Sequence, residues 1–281
     1  MTLTGKARLA GVMGWPVGHS LSPLLHGFWL DRYGIDGAYV PFAVSPDRLG
    51  TAIGALRALG LAGVNLTVPH KEAAMALVDS CDAAARRIGA INTIVVEAGG
   101  GLRGFNTDGF GFIESVRQGA PGWSAGAGPA VVIGAGGAAR AVCVALQDAG
   151  VPEIRVANRT PERAIRLARD FGAPLRAISW ENRAAALDGA ALLVNATTLG
   201  MTGQPPLDLS LDALPRQAAV TDIVYAPLAT GLLRAAADRG NPVVDGLGML
   251  LHQGRPGFAA WFGRDPEVTP ELRAHVLGAA I

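Results

Sequence analysis

Residues 130–146 read AVVIGAGGAARAVCVAL. A short apolar run ends at Gly134, and Gly134, Gly136 and Ala139 follow the spacing G-x-G-x-x-A. Between a strand and a helix this spacing is typical of a dinucleotide-binding loop, because the glycines allow a tight turn and let the backbone approach a pyrophosphate. The N-terminus of the helix adds partial positive charge. A glycine-rich turn that binds nothing is the alternative. The sequence favours a Rossmann-type domain whose cofactor contacts are Gly134, Ala135, Gly136, Gly137 and Ala138.

The stretch RVANRTPER, residues 155–163, shows which cofactor to expect. An NAD-binding domain usually ends its second strand with Asp or Glu, which holds the ribose 2′-hydroxyl. Here Asn158 and Arg159 occupy that place, Thr160 precedes a helix start, and Arg163 lies in the first turn. Two guanidinium groups could hold a 2′-phosphate through charge-assisted bonds, although either could also be a solvated surface charge. The sequence therefore favours NADP over NAD.

Length and composition give a second constraint. A chain of 281 residues, half of them hydrophobic, is more typical of two domains than of one. The net charge of +1 gives no electrostatic case for nucleic acid or a membrane surface. We expect no signal peptide and no metal site, and we expect Cys81 and Cys143 to be small fillers in helical segments. The cytoplasm is the simplest location.

Short apolar runs alternate with helical patterns along the chain, which favours an α/β fold with mainly parallel strands. SPLLHGFWLDRYG, residues 22–34, predicts a helix that Ser22 can cap, and HKEAAMALV, residues 70–78, predicts another. The Gly- and Pro-rich residues 118–129 resemble a surface connection at a domain boundary.

Lys71, in the stretch NLTVPHKE of residues 65–72, is one of only two lysines among 24 basic residues. Arginine stays protonated in proteins, whereas lysine can exchange a proton. Lys71 follows the end of a predicted strand, where α/β sheets place ligand sites. An ordinary surface lysine is the equal alternative if this residue is considered alone.

Eight motifs together resemble one family. GHSLSP, NLTVPHKE, AINT, FNTDG, IGAGGAAR, ANRT, NATTLGM and DGLGMLLHQ occur in this order. This set is similar to the shikimate dehydrogenases, which reduce 3-dehydroshikimate to shikimate with NADPH. The resemblance implies an NADP-dependent oxidoreductase of chorismate and aromatic amino acid biosynthesis, a monomer or homodimer. It also implies an open α/β substrate domain of residues 1–108 and 245–281, and a Rossmann-type NADP domain of residues 109–244.

The resemblance also assigns roles to single residues. Lys71 and Asp108 match the catalytic pair, in which the ammonium would donate a proton to the reduced carbonyl and the carboxylate would orient it. Substrate contacts are implied for Ser20, Ser22, Thr67, Asn92, Tyr225 and Gln253. The last two motifs add Thr197, Met201, Gly246 and Met249 as cofactor contacts.

Several of these residues have simpler explanations. Ser22 could only cap its helix, Asp108 could cap the helix that follows it, and Tyr225 could simply be packed. In an extended segment Ser20 and Ser22 would project to the same side, where two hydroxyls could hold a carboxylate. Two other functions stay open: a quinate or quinate/shikimate dehydrogenase of the same family, and a nucleotide-sensing protein without catalysis.

Overall fold

The computed structural model describes residues 3–278 and divides them into two compact units. The first unit combines the residues up to Thr107 with those from Gln253 onward. The second unit is Asp108–His252. The predicted boundaries lie at 108/109 and 244/245, so the two divisions differ at Asp108 and over residues 245–252. That the first unit binds the substrate stays a prediction.

The first unit is built on a six-stranded sheet in the order β2-β1-β3-β5-β6-β4. β5 is antiparallel to both of its neighbours and the other pairs are parallel, so the sheet is mainly parallel as predicted. Its strands are β1 (Arg8–Gly14), β2 (Gly37–Ala43), β3 (Gly63–Leu66), β4 (Ser80–Cys81), β5 (Thr93–Val96) and β6 (Leu102–Phe105). Its helices are α1 (Ser22–Arg32), α2 (Leu49–Ala58), α3 (Ala83–Ile88) and α9 (Pro270–Gly278), with 3-10 turns at Pro46–Arg48 and Ala73–Leu77.

The second unit has a fully parallel sheet in the order β12-β11-β10-β7-β8-β9. When these six strands are numbered from 1 to 6 along the chain, their order in the sheet is 6-5-4-1-2-3, the arrangement of a Rossmann fold. The strands are β7 (Ala130–Ile133), β8 (Ile154–Ala157), β9 (Leu175–Ile178), β10 (Leu192–Asn195), β11 (Ala219–Asp222) and β12 (Val243–Val244). The helices are α4 (Asp108–Gly119), α5 (Gly137–Asp148), α6 (Pro161–Phe171) and α7 (Gly231–Asp238), with 3-10 turns at Ala125–Ala127 and Ala185–Leu187.

Helix α8 (Gly246–Phe262) contains the second boundary. Its first turns pack on the second unit, because Met249 contacts that unit's core and a Cβ atom at Gly248 would overlap the Ser115 hydroxyl. None of the described helices is long and apolar enough to cross a bilayer.

Buried aromatic side chains connect the two chain segments that form the first unit. Trp261 Nε1 donates to the Ile94 carbonyl at 3.0 Å, and Trp29 Nε1 donates to the Glu267 carbonyl at 2.9 Å. Phe258 packs edge-on against Trp29, with ring centroids 5.3 Å apart. The segment from Gln253 onward therefore completes the core that β1–β6 begin.

Four local predictions are wrong. The helix predicted over residues 70–78 is only the 3-10 turn Ala73–Leu77, because the chain must turn at once so that β4 can pair with β6. Cys81 consequently lies in a strand, while Cys143 lies in a helix as expected. Ser22 does not cap α1, whose N-cap is Leu21. Residues 118–129 join α4 to β7 inside the second unit rather than separating two domains.

Candidate functional site: a dinucleotide cleft and a polar network

A cleft of about 540 Å³ lies at the carboxyl edge of the parallel sheet in the second unit. The segments that follow β7, β8, β9 and β10 line it, which is where open α/β sheets bind ligands. Ten of the predicted cofactor contacts line this cleft: Gly134, Ala135, Gly136, Gly137, Ala138, Asn158, Arg159, Thr160, Arg163 and Thr197. The structure thus brings together residues that are widely separated in sequence.

The glycine loop is tightly packed at Gly134 and open at Gly136 and Gly137. Gly134 has φ +114°, and a Cβ atom there would lie 2.8 Å from the Ala196 carbonyl oxygen, so only glycine fits. A Cβ atom at Gly136 or Gly137 would meet nothing within 4 Å, which leaves open space above the loop. Gly136 is the N-cap of α5 and provides no side-chain cap, so the first amides of the helix face the cleft without one.

Asn158 connects the glycine loop to the segment that follows β8. Its Oδ1 accepts from the Ala135 amide at 3.1 Å, and its Nδ2 donates to the Thr160 carbonyl at 2.8 Å. Arg159 precedes α6 and Arg163 lies in its first turn, as predicted, and both are exposed. Among the described residues that line the cleft there is no carboxylate. The wall therefore offers positive charge where an NAD site would carry an acid.

A buried network supports the opposite wall. Thr197 donates through its amide and its hydroxyl to Asn195 Oδ1, at 3.1 and 2.7 Å. Asn195 Nδ2 in turn donates to Asp222 Oδ1 at 3.0 Å, and Asp222 Oδ2 accepts from the Thr230 hydroxyl at 2.8 Å. Burial raises the pKa of Asp222, although hydrogen bonds from Val224 and other donors oppose that shift. These hydrogen bonds hold the loop after β10 in position.

The remaining three predicted cofactor contacts lie outside the described lining of the cleft. Met201 is exposed in a turn after β10. Gly246 begins α8, where a Cβ atom would overlap the Ile223 backbone, and Met249 packs against the core of the second unit. Their cofactor role stays a prediction, and the structure supplies a packing reason for Gly246 and Met249.

The first unit contains a polar network centred on Asn92, which is buried beside β5. Asn92 Nδ2 donates to the Thr107 hydroxyl at 2.9 Å and to Gln253 Oε1 at 3.2 Å. Its Oδ1 accepts from the Thr93 hydroxyl and from the Thr107 amide, each at 2.9 Å. Two predicted substrate contacts, Asn92 and Gln253, are therefore direct neighbours.

A second chain of contacts links the predicted carboxylate site to this network. Ser22 lies beside the Tyr39 side chain, and the Tyr39 hydroxyl donates to Asn65 Oδ1 at 2.7 Å. Asn65 Nδ2 donates to the Asn92 carbonyl at 3.1 Å. Buried His26 stacks on Tyr39 with ring centroids 3.9 Å apart, and burial lowers the pKa of His26 to about 3, which keeps the imidazole neutral.

The two serines are close, but not for the predicted reason. Leu21 has helical backbone angles and α1 begins at Ser22, so the segment is not extended. The Ser22 amide donates to Ser20 Oγ at 3.3 Å. The turn into the helix, rather than strand alternation, places the two hydroxyl-bearing residues together.

The predicted catalytic residues are in different units. Lys71 lies in the turn after β3, partly buried, and its carbonyl accepts from the Ile91 amide at 2.9 Å. Thr67 is also partly buried, and its amide donates to the Met13 carbonyl at 2.9 Å. Asp108 begins α4 in the second unit and is buried. Tyr225 follows β11 in the same unit, and burial raises the pKa of its hydroxyl.

Comparison with known proteins identifies the family. Residues 12–94 match the model of the shikimate dehydrogenase substrate binding domain, and residues 124–201 match that of the shikimate / quinate 5-dehydrogenases. The chain is 64% identical to a shikimate dehydrogenase (NADP(+)) of Paramagnetospirillum magneticum over 98% of this chain and 100% of that one. The chain belongs to the shikimate dehydrogenase family.

Solved structures agree with this membership. The shikimate 5-dehydrogenase of Thermus thermophilus, in complex with NADP(H) and shikimate, is 42% identical with a TM-score of 0.86, over 98% of this chain and 100% of that chain. The quinate dehydrogenase of Corynebacterium glutamicum, in complex with NAD, is 31% identical with a TM-score of 0.89, over 97% and 99%. The predicted α/β fold and the predicted shikimate dehydrogenase family are confirmed.

Part of the cleft lining was not predicted from the sequence. The additional lining residues come from loops: Trp180, Ala196, Thr198, Leu199, Gln204, Pro205 and Ile223. Thr198 and Leu199 belong to the motif NATTLGM, so their proximity to Thr197 was a usable signal. Trp180 lies just after β9, whereas Gln204 and Pro205 lie in the long connection between β10 and β11. None of the three has a recognisable spacing, and only the fold brings them to the cleft.

Proposed function

We propose that this chain catalyses the reversible, NADPH-dependent reduction of 3-dehydroshikimate to shikimate, in chorismate and aromatic amino acid biosynthesis. The near full-length likeness to shikimate dehydrogenases (NADP(+)) carries this proposal. The cleft supports it independently, because open space at the glycine loop would admit a pyrophosphate and the two arginines of the lining would pair with a 2′-phosphate.

The cleft residues would hold the cofactor as follows. The amides at Gly136 and Gly137 would face the pyrophosphate, and Arg159 and Arg163 would hold the 2′-phosphate. Bound NADPH supplies the hydride for the reaction. Asn158 would keep the loop and the arginine segment in register, as its two hydrogen bonds suggest.

The first unit would hold the substrate. Ser20 and Ser22 would donate to its carboxylate without a buried arginine, while Thr67, Asn92 and Gln253 would hydrogen-bond the ring hydroxyls. Asn92 and Gln253 support this role because they already contact each other within the polar network.

Lys71 would carry the proton transfer. Its ammonium would stabilise the oxyanion that develops on the carbonyl oxygen and donate the proton that forms the alcohol. Asp108 would orient this ammonium, and Tyr225 would line the site. A protein that only senses a nucleotide has no need of such an acid, so this pair favours an enzyme over a sensor.

The direct test is the reverse reaction. Purified protein, shikimate and NADP⁺ at mildly basic pH are expected to produce the absorbance of NADPH. NAD⁺ in place of NADP⁺ measures the cofactor preference. A protein that binds NADP⁺ but forms no NADPH from shikimate would contradict the proposal.

A quinate or quinate/shikimate dehydrogenase is the second candidate, favoured by the likeness to the quinate dehydrogenase. Quinate carries an extra hydroxyl on the ring carbon that bears its carboxylate, and that carbon is tetrahedral. We expect this hydroxyl to press towards Ser20 and Ser22 and misplace the reacting carbon, at a cost of about 100-fold in rate. Kinetics on both acids, in wild type, Ser20→Ala and Ser22→Ala, decide the choice. Equal kcat/KM values in wild type would favour the second candidate.

We further propose a monomer or homodimer that acts in the cytoplasm on small molecules alone. Cys81 and Cys143 have free thiols, which a reducing compartment preserves. Light scattering after size exclusion measures the oligomeric state.

A further inference from the structure

Trp180 forms part of the cleft wall in the second unit, two residues after the end of β9. It is partly buried, and it packs against the same apolar cluster as Leu207 and Leu209. No motif predicted it, and the proposed reaction does not use it. An indole in a polar cleft is a binding surface for a flat, apolar group.

The order of the strands indicates which group would meet Trp180. The glycine loop follows β7, the arginine segment follows β8, and Trp180 follows β9, and these three strands are neighbours. Adjacent strands lie about 4.8 Å apart, so the three segments succeed one another along the edge of the sheet. If the glycine loop holds the pyrophosphate and the arginine segment holds the phosphoribose, the segment that contains Trp180 is left for the base.

We propose that Trp180 is the wall of the base subsite and packs its indole against the adenine ring of the cofactor. This inference rests on the proposed function, because it assumes a dinucleotide in the cleft. It adds a contact for the base to the contacts already proposed for the phosphates.

Arg183 holds the indole in place. Its guanidinium carbon lies 4.5 Å from the centroid of the Trp180 ring, and its Nη1 donates to the Trp180 carbonyl at 2.8 Å. Its Nε and Nη2 donate to the Asp208 carbonyl at 3.2 and 2.9 Å. The aromatic wall is therefore fixed before the ligand arrives, so little side-chain entropy remains to be lost on binding.

The test uses adenosine 2′,5′-bisphosphate, which has the base and the phosphoribose but lacks the nicotinamide. Stacking of a base on an aromatic side chain contributes about 1–3 kcal/mol by alanine substitution. We expect Trp180→Leu to weaken binding about 10-fold by calorimetry, equivalent to about 1.4 kcal/mol, and Trp180→Phe to stay within about 3-fold of wild type. Both variants keep an apolar side chain at this position, and thermal melting checks that they fold.

Tryptophan fluorescence gives an independent result. The ligand should quench wild-type emission, and Trp180→Phe should lose most of that change. Trp123→Phe is the matched control, since Trp123 packs on the core of the same unit and should leave the quenching intact.

The outcomes separate the two proposals. If wild type binds neither adenosine 2′,5′-bisphosphate nor NADP⁺, the proposed function is wrong. If wild type and a folded Trp180→Leu bind the bisphosphate equally, only the base subsite is wrong. Quenching that persists in Trp180→Phe would also overturn the base subsite.

Discussion

Lys71 is held by its backbone in the turn after β3, where its carbonyl accepts from Ile91. We expect Lys71→Ala to fold and to bind NADP⁺ with unchanged affinity, but to lower kcat at least about 100-fold, because a positioned acid or base contributes that much or more. Steady-state rates, circular dichroism and calorimetry measure the three properties.

Lys6 provides the matched control, because it is the other lysine of the chain and is exposed. Lys6→Ala should keep the wild-type rate. A kcat of Lys71→Ala within a few-fold of wild type would show that another group supplies the proton.

Arg159 is expected to carry most of the preference for NADP over NAD. A hydrogen bond to a charged phosphate contributes about 1.5–3 kcal/mol, so Arg159→Ala should reduce the ratio of kcat/KM values for the two cofactors by about 10–100-fold. The control is Arg166→Ala, an exposed arginine of α6 outside the described lining of the cleft. An unchanged ratio in Arg159→Ala would assign the phosphate contact to another residue.

At the scale of elements, Asn158 joins the glycine loop to the start of α6 through its bonds to Ala135 and Thr160. Asn158→Ala removes both bonds. Each contributes about 0.5–1.5 kcal/mol, so we expect the free energy of unfolding to fall by about 1–3 kcal/mol and NADP⁺ to bind less tightly. Urea denaturation and calorimetry measure the two effects.

Asn182 is the control for that prediction, because it is exposed and outside the cleft lining. Asn182→Ala should change neither quantity by more than about 0.5 kcal/mol. If Asn158→Ala loses stability but binds NADP⁺ normally, the two bonds support the fold without shaping the loop.

The sequence predicted the second unit better than the first, for a physical reason. The glycine loop and the arginine segment are local patterns, because each depends on backbone geometry within a few residues. The short turn at Ala73–Leu77 depends instead on the pairing of β4 with β6, which no local pattern contains. The start of α1 at Ser22 and the position of Trp180 in the cleft wall likewise depend on tertiary packing.

At the scale of the whole molecule, each unit should respond to its own ligand. We expect NADP⁺ to slow amide hydrogen exchange over residues 134–138 and 158–163, and shikimate to slow it over residues 65–71. A bound ligand lowers the population of locally open states in the segments that it contacts. Mass spectrometry of peptides after exchange measures both patterns.

The control repeats the hydrogen-exchange measurement with adenosine 2′,5′-bisphosphate in place of NADP⁺. This ligand should slow exchange over the same two segments of the second unit. Protection of residues 134–138 by shikimate alone, and not by NADP⁺, would contradict the assignment of the cleft.

The first unit is formed by two chain segments that the ribosome makes at different times. A ribosome makes all of Asp108–His252 before it makes Gln253 and the residues beyond. Until then Trp29 and Ile94 lack the partners that Glu267 and Trp261 bring, and the apolar surface around them is uncovered. Since domains fold as units during synthesis, the second unit finishes first. The nascent chain therefore completes its two units in the reverse of the order in which it begins them.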